Sequence, residues 1–179
     1  MDDGKATIMS AGVFQKVLVP VEFEPANEGD IAPDRMVEVG DHDWVAVGEC
    51  TIRALELAAR LASGGDVYIV HATPDFRDYA TWMPPARIAE LDGGASHHAK
   101  VVLEVVARQH CRGVTLHYIN EPGKALDVVL EAAREHSPDA IVLAASARHR
   151  VNRAFLGSTA DKVIRQSPCP VVVVPSGTA

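Results

Sequence analysis

The sequence predicts one α/β domain, a parallel β-sheet with helices on both of its faces. Three observations carry this. Short, continuously apolar, β-branched runs recur at residues 17–21, 67–70, 141–145 and 171–174. Such runs suit strands covered on both faces, as in parallel sheets. Between them lie segments with apolar residues at helical spacing. The two kinds alternate as β-α-β-α-β-α-β-α-β, the pattern of a parallel sheet built from crossover units.

The first strand is "VLVPV", residues 17–21. A helix normally follows such a strand within a few residues, yet residues 24–50 intervene here. Within them, "MVEVGDHDWVAVG" (36–48) alternates apolar and polar residues on both sides of "GDHD". This predicts an inserted β-hairpin with a polar turn. It leaves from the carboxyl end of the first strand, so it is expected beside any cleft there. The first helix, "TIRALELAARLA", puts Ile52, Leu55, Ala59 and Ala62 on one face, and "ASGG" stops it. "VYIV" is the second strand. Residues 72–95, punctuated by Pro84-Pro85 and Gly93-Gly94, read as a loop with one helical turn.

The second helix, "AKVVLEVVARQH", carries a stripe of Val102, Val105 and Val106. In "VTLHYI" (114–119), Val114, Leu116 and Tyr118 alternate with Thr115 and His117. One wetter face places this strand at a sheet edge. The third helix, "KALDVVLEAAREH", has Leu126, Val129, Leu130 and Ala133 at i, i+3, i+4, i+7 spacing. "IVLAA" is the fourth strand. The last helix starts near Ser158 and includes Val163 and Ile164; "QSPCP" ends it, and "VVVV" follows.

With 179 residues, 47% apolar and 23% charged, the composition suits one globular domain, expected over residues 13–176 after a flexible leader at 1–12. The longest apolar run, "AIVLAA", is far short of a membrane span. The first residues carry acids where a signal peptide needs bases. Cys50, Cys111 and Cys169 are odd in number and far apart, against both a disulfide framework and a zinc cluster, so the cytoplasm is the default. Net charge −7 disfavours nucleic acid as a partner. The eight histidines have no metal spacing, and no G-x-S-x-G, Walker A or HExxH pattern occurs. No nucleophile or activated base is evident.

One stretch stands out chemically. From Ala140 to Thr159 there is no carboxylate, and Arg148, Arg150 and Arg153 fall within six positions. Ligands of open α/β sheets bind beyond the carboxyl ends of the strands. A helix N-terminus offers unpaired N–H groups and partial positive charge. Gly157 permits close backbone approach, and Ser158 and Thr159 add hydroxyls. Two readings stay open: a polyanion site, or Ser158 as an N-cap with Asp161 closing a capping box and the arginines solvated. Glu22, at the end of the first strand, either orients a base amine or hydroxyl or is simply solvated. His71 is expected to be structural, with a backbone hydrogen bond.

These residues carry a resemblance. "KVLVPVE", "ALELAARLA…VYIVHATP", "DAIVLAAS" and "FLGSTADKVIRQSPCPVVVVP" resemble, in order and spacing, the universal stress protein family. The family's G-x-x-G, nine residues, G-[ST] pattern has its spacer intact at 148–156, ending in Gly157-Ser158. The resemblance implies a Rossmann-like, five-stranded parallel sheet of order 3-2-1-4-5, a homodimer, and an ATP or related adenine nucleotide site, with Mg²⁺ as a possible companion. It puts Pro20, Val21 and Glu22 at the base, with Ala72 beside it. Leu143 and Ala144 flank the adenosine, and Ala147, Gly157, Ser158 and Thr159 surround ribose and phosphates. The chain departs from the pattern at Ala144 and Ala147, which replace the first two glycines, and at Glu22, which replaces an Asp. The implied function is a nucleotide-binding sensor or regulator rather than a dedicated catalyst. A slow ATPase using Glu22 or Asp161, and a dimeric interaction module with a degenerate site, are the alternatives. In the implied order Val171–Val174 is an edge strand, apolar throughout and bracketed by Pro170 and Pro175. Such an edge invites pairing with a second copy.

Overall fold

Strand β1 (Lys16–Pro20) is the axis of the architecture, and every other element is placed relative to it. The computed structural model describes residues 13–26, 35–38, 44–145 and 157–175. The expected leader at 1–12 and the turn of the expected hairpin at 39–43 lie outside them. After β1 come β2 (Phe23–Ala26), β3 (Met36–Glu38), β4 (Trp44–Val47) and helix α1 (Glu49–Leu61). Then follow β5 (Asp66–Thr73), a 3-10 turn (Phe76–Tyr79), α2 (Pro85–His110), β6 (Thr115–Pro122) and α3 (Ala125–His136). The chain closes with β7 (Ala140–Ala144), α4 (Ser158–Gln166) and β8 (Val171–Val174).

The main sheet is five-stranded and parallel, ordered β6-β5-β1-β7-β8. Counting only its own strands, this is the expected 3-2-1-4-5 order, and "VTLHYI" does form an edge. Alternate residues of β1 serve opposite faces. Val17 and Val19 join a core with Ala54, Leu55 and Ala58 of α1 and Val102, Leu103 and Val106 of α2. Leu18 joins the other core, with Val129 and Ala133 of α3 and Val163 of α4. Helices therefore cover both faces, α1 and α2 on one and α3 and α4 on the other.

The ladders beside β1 are unequal. With β5 it pairs along its whole length, Lys16↔Asp66 to Pro20↔Val70. With β7 it pairs only at Val17↔Ala140 and Leu18↔Ile141. The amino ends are held firmly. The Asp139 carboxylate accepts from the amides of Gln15 (2.7 Å) and Lys16 (2.9 Å), and the Asp139 amide donates to the Lys16 carbonyl (2.9 Å). These amide bonds hold the Asp139 carboxyl below its ordinary range.

The insertion is larger than the expected hairpin. β3 and β4 pair antiparallel as predicted, but β2 adds a third strand on the other side of β4, giving the order β2-β4-β3. The sheet is anchored by Val37, Val45 and Val47, which are buried in the α1/α2 core.

Two further expectations are corrected. The segment read as a loop up to residue 95 is helical from Pro85, and α2 runs unbroken through Gly93 and Gly94. Pro85 sits at the helix start, where its missing N–H is harmless. Both glycines are exposed with nothing near a notional Cβ, so each lowers helix propensity without breaking the helix. On α2 the buried stripe is Ala99, Val102, Leu103 and Val106, while Val105 stays 40% exposed. On α4, Val163 is buried and Ile164 is 39% exposed.

Because neither α2 glycine has a conformational or steric need, Gly93→Ala and Gly94→Ala should each stabilise the protein by about 1 kcal/mol. Urea unfolding followed by circular dichroism measures this. A loss of stability in either variant would contradict the unbroken helix.

Candidate functional site

Beyond Leu18 and Ile141, β1 and β7 run on without pairing, and a cavity of about 610 Å³ opens at their carboxyl ends. Its floor and walls are apolar: Val21, Val70, Ala72, Val129, Leu143 and Val163. Three helix starts border it: Gly48, Cys50 and Thr51 at α1, Ala125 at α3, and Gly157, Ser158 and Thr159 at α4. Among the described residues no side chain caps any of the three. Their N–H groups bring partial positive charge to a cavity that Glu22, Glu24 and Arg35 also line.

The α4 start is specialised. Gly157 takes φ 58°, ψ 145°, a conformation open to glycine and strained for other residues. Ser158 is thus the first helical residue rather than the N-cap. Asp161 closes no capping box; its carboxylate accepts from Arg165 Nε at 3.0 Å, one turn on. The capping box of the second reading is overturned, while the arginines it took as solvated lie outside the described residues. Ala144 has no positive φ, since Ser137 is the only non-glycine with one among the described residues. Its methyl group is therefore not strained.

Of the residues expected in a site, Pro20, Val21, Glu22, Ala72, Leu143, Ala144, Gly157, Ser158 and Thr159 line this one cavity. Ala147, Arg148, Arg150 and Arg153 lie outside the described residues. The sequence reading did not name Phe23, Glu24, Arg35, Ala46, Val47 and Gly48, which the inserted sheet contributes to the cavity wall. The position of the insertion after β1 signalled its proximity, but not which side chains it would present.

His71, at the end of β5, also lines the cavity. Its Nδ1 donates to the Val21 carbonyl at 2.9 Å in the neutral tautomer, and Phe23 stacks on the ring, 4.3 Å away at 20°. The expected backbone bond is present. It ties β5 to the residue after β1 and fixes Nε2 as the bare acceptor. Burial lowers the His71 pKa, partly offset by the Val21 bond and Glu22 charge, while His98 lowers it further. The folded protein thus resists protonation at this ring. Among the described residues no three or more His, Cys, Asp or Glu cluster as a metal site. No described helix is long and apolar enough to cross a membrane.

The sequence profile of the universal stress protein family matches residues 45–175. Solved structures share the fold. A universal stress protein from Lactobacillus plantarum is 21% identical, with a TM-score of 0.60 over 92% of this chain and 99% of that one. A protein of the same family from Burkholderia pseudomallei is 18% identical, with a TM-score of 0.56 over 92% and 98%. An Arabidopsis thaliana family member, solved with AMP bound, is 15% identical, with a TM-score of 0.50 over 92% and 93%. No curated protein sequence matches the chain.

The lowered His71 pKa makes a signed prediction. The unfolded chain takes up a proton near the ordinary value of 6.5, and the folded one only at lower pH. Stability from the neutral ring is therefore full above that value and declines as pH falls from it toward the folded pKa. His71→Phe should flatten this part of the profile in urea titrations between pH 7.5 and 5. An unchanged slope would mean that the ring does not titrate differently on folding.

Proposed function

The chain belongs to the universal stress protein family, and from that premise we propose that it binds ATP or a related adenine nucleotide in the β1–β7 cleft. In this reading it acts in the cytosol as a dimeric sensor or regulator, not as a dedicated catalyst. The observation that carries the reading is the pairing, in one cavity, of an apolar slot with the uncapped, glycine-preceded start of α4. A purine is flat and apolar on its faces; a phosphate chain is anionic. Slot and helix start suit the two ends. The AMP bound by the Arabidopsis relative supports the same class of ligand.

The base lies against Pro20, Val21, Ala72 and Leu143, with Glu22 accepting from its amine or from a ribose hydroxyl. Ala144 and Ala147 border the ribose. Gly157, Ser158 and Thr159 hold phosphate oxygens, joined by Arg148, Arg150 and Arg153 from the connection between β7 and α4. Mg²⁺ enters only with the phosphates. A slow ATPase remains the competing reading because two carboxylates, Glu22 and Glu24, line the cleft. Asp161, the other candidate, is engaged by Arg165. Three free cysteines suit a reducing compartment.

Thermal shift with ATP and Mg²⁺, against AMP and adenosine, tests binding; an upward shift is expected. A flat response would favour a degenerate site and an interaction module. Phosphate release by protein that binds separates sensor from ATPase. Gly157→Ala, strained by roughly 1–3 kcal/mol, should lose most of the ATP-dependent shift. A full shift in that variant would move the phosphates away from α4.

The dimer proposal rests on β8. One edge pairs with β7 from Ile141↔Val171 to Ala144↔Val174, and among the described residues no strand covers the other. Val171, Val172 and Val173 remain partly exposed. A second β8, antiparallel about a two-fold axis, would satisfy both edges at once. Val172→Lys should give a monomer or aggregate in light scattering; an unaltered dimer would place the interface elsewhere.

A further inference from the structure

We propose that Arg35, carried by the inserted sheet, is a ligand-binding residue of the cleft that takes the terminal phosphate of a bound nucleotide, so that the insertion sets a preference for long phosphate chains. This rests on the nucleotide reading above.

Arg35 immediately precedes β3. The register Met36↔Ala46 sets it level with Val47, and Val47 leads through Gly48 straight into α1. Arg35 is thereby held beside the uncapped start of α1, and it lines the same cavity as Gly48 and Thr51. Of the three helix starts at the cavity, this is the one that a guanidinium joins; Glu22 and Glu24 line the cavity as well. The proposed base position against Val21 and Leu143, with the first phosphates at α4, leaves the α1 end for what lies further along the chain.

Arg35 is half-buried, and among the described residues it makes no ion pair. Arg53, also half-buried and without a carboxylate partner among the described residues, gives its guanidinium to the Pro175 carbonyl at 3.3 Å. Arg77, Arg87, Arg108 and Arg165 each pair with a nearby carboxylate in sequence and lie on the outer surface. A guanidinium that is partly withdrawn from water needs acceptors for its five N–H donors. A phosphate accepts two of them side by side. The matched family span begins at residue 45, so Arg35 lies ahead of it, in the portion of the chain that the profile does not describe.

Isothermal titration of wild type, Arg35→Ala and Arg35→Lys with ATP, AMP, adenosine and inorganic tripolyphosphate tests the proposal, with urea unfolding as the check on folding. Arg35→Ala should weaken ATP about tenfold, as for one lost charged hydrogen-bonding partner. AMP should weaken far less and adenosine not at all. Arg35→Lys should fall between, since the charge survives and the fork does not. ATP binding unchanged by Arg35→Ala overturns the proposal and leaves the nucleotide reading intact. Equal weakening of ATP and AMP overturns the assignment to the terminal phosphate. If wild type binds tripolyphosphate through Arg35 but no nucleotide, the anion role of Arg35 stands and the nucleotide reading falls. If wild type binds neither, both fall.

Discussion

The ladder between β1 and β7 ends after Leu18, and a proline explains why. Successive residues of a parallel strand direct their amide and carbonyl groups to alternate sides. The Lys16 carbonyl accepts from Asp139, which leads into β7, and the Val21 amide donates to Val70 on β5. Even-numbered residues of β1 therefore face β7, and the next even position is Pro20. It has no N–H to give. The strand stays joined to β5 and lets go of β7 at the point where the two sides of the sheet also send their helices to opposite faces. Among the described residues no crossover element fills the gap, and the apolar slot, the three converging helix starts and the insertion all meet around it.

The insertion then changes the character of that gap. Chain leaving Pro20 turns into a small antiparallel sheet instead of entering α1 directly. Its inward valines are buried with α1 and α2, which fixes it as a rigid wall rather than a loose flap. That wall brings Glu24 and Arg35 to a cavity already lined by Glu22, His71, hydroxyls and helix-start N–H groups. The acidic net charge of the protein is thus a poor guide to the field at this site. Helix starts and one guanidinium meet two carboxylates there, Glu22 and Glu24, and these groups at a few ångströms set the local field more than screened charges on the far surface do.

Much of this was legible in the sequence because buried parallel strands leave an unusually plain signal. "VLVP", "VYIV", "AIVLA" and "VVVV" are apolar at every position, since both faces are covered. The helices were found by period, but the buried face of α2 was misjudged at Val105. Valine at the flank of an apolar stripe looks the same as valine at its centre. Gly93-Gly94 suggested a break because glycine is a poor helix former, yet a weak propensity in an exposed turn is overridden by the packing of Ile88 and Ala99 on either side. Gly157, Ser158 and Thr159 could be proposed from spacing alone. Arg35 and Phe23 could not, because nothing in an alternating hairpin pattern tells which strand end will face a cleft formed by residues far away in the chain. Pro20 was visible, but its meaning depends on which neighbour its nitrogen faces.

Asp139 bears on how the cleft can respond to a guest. Its carboxylate grips the amides of Gln15 and Lys16 at the start of β1 and its own amide binds the Lys16 carbonyl, so β1 and β7 are clasped at one end and separate at the other. Two strands joined this way behave as the arms of tongs. Any force that a ligand exerts between Pro20 and Leu143 acts with a lever arm measured from Leu18, and the pivot itself is stiffened by a charged carboxylate. The β7 arm carries α4 and β8, and the β1 arm carries β5 and β6, so the mouth of the cleft is where two halves of one sheet part company, with β8 as the outermost edge of the β7 half.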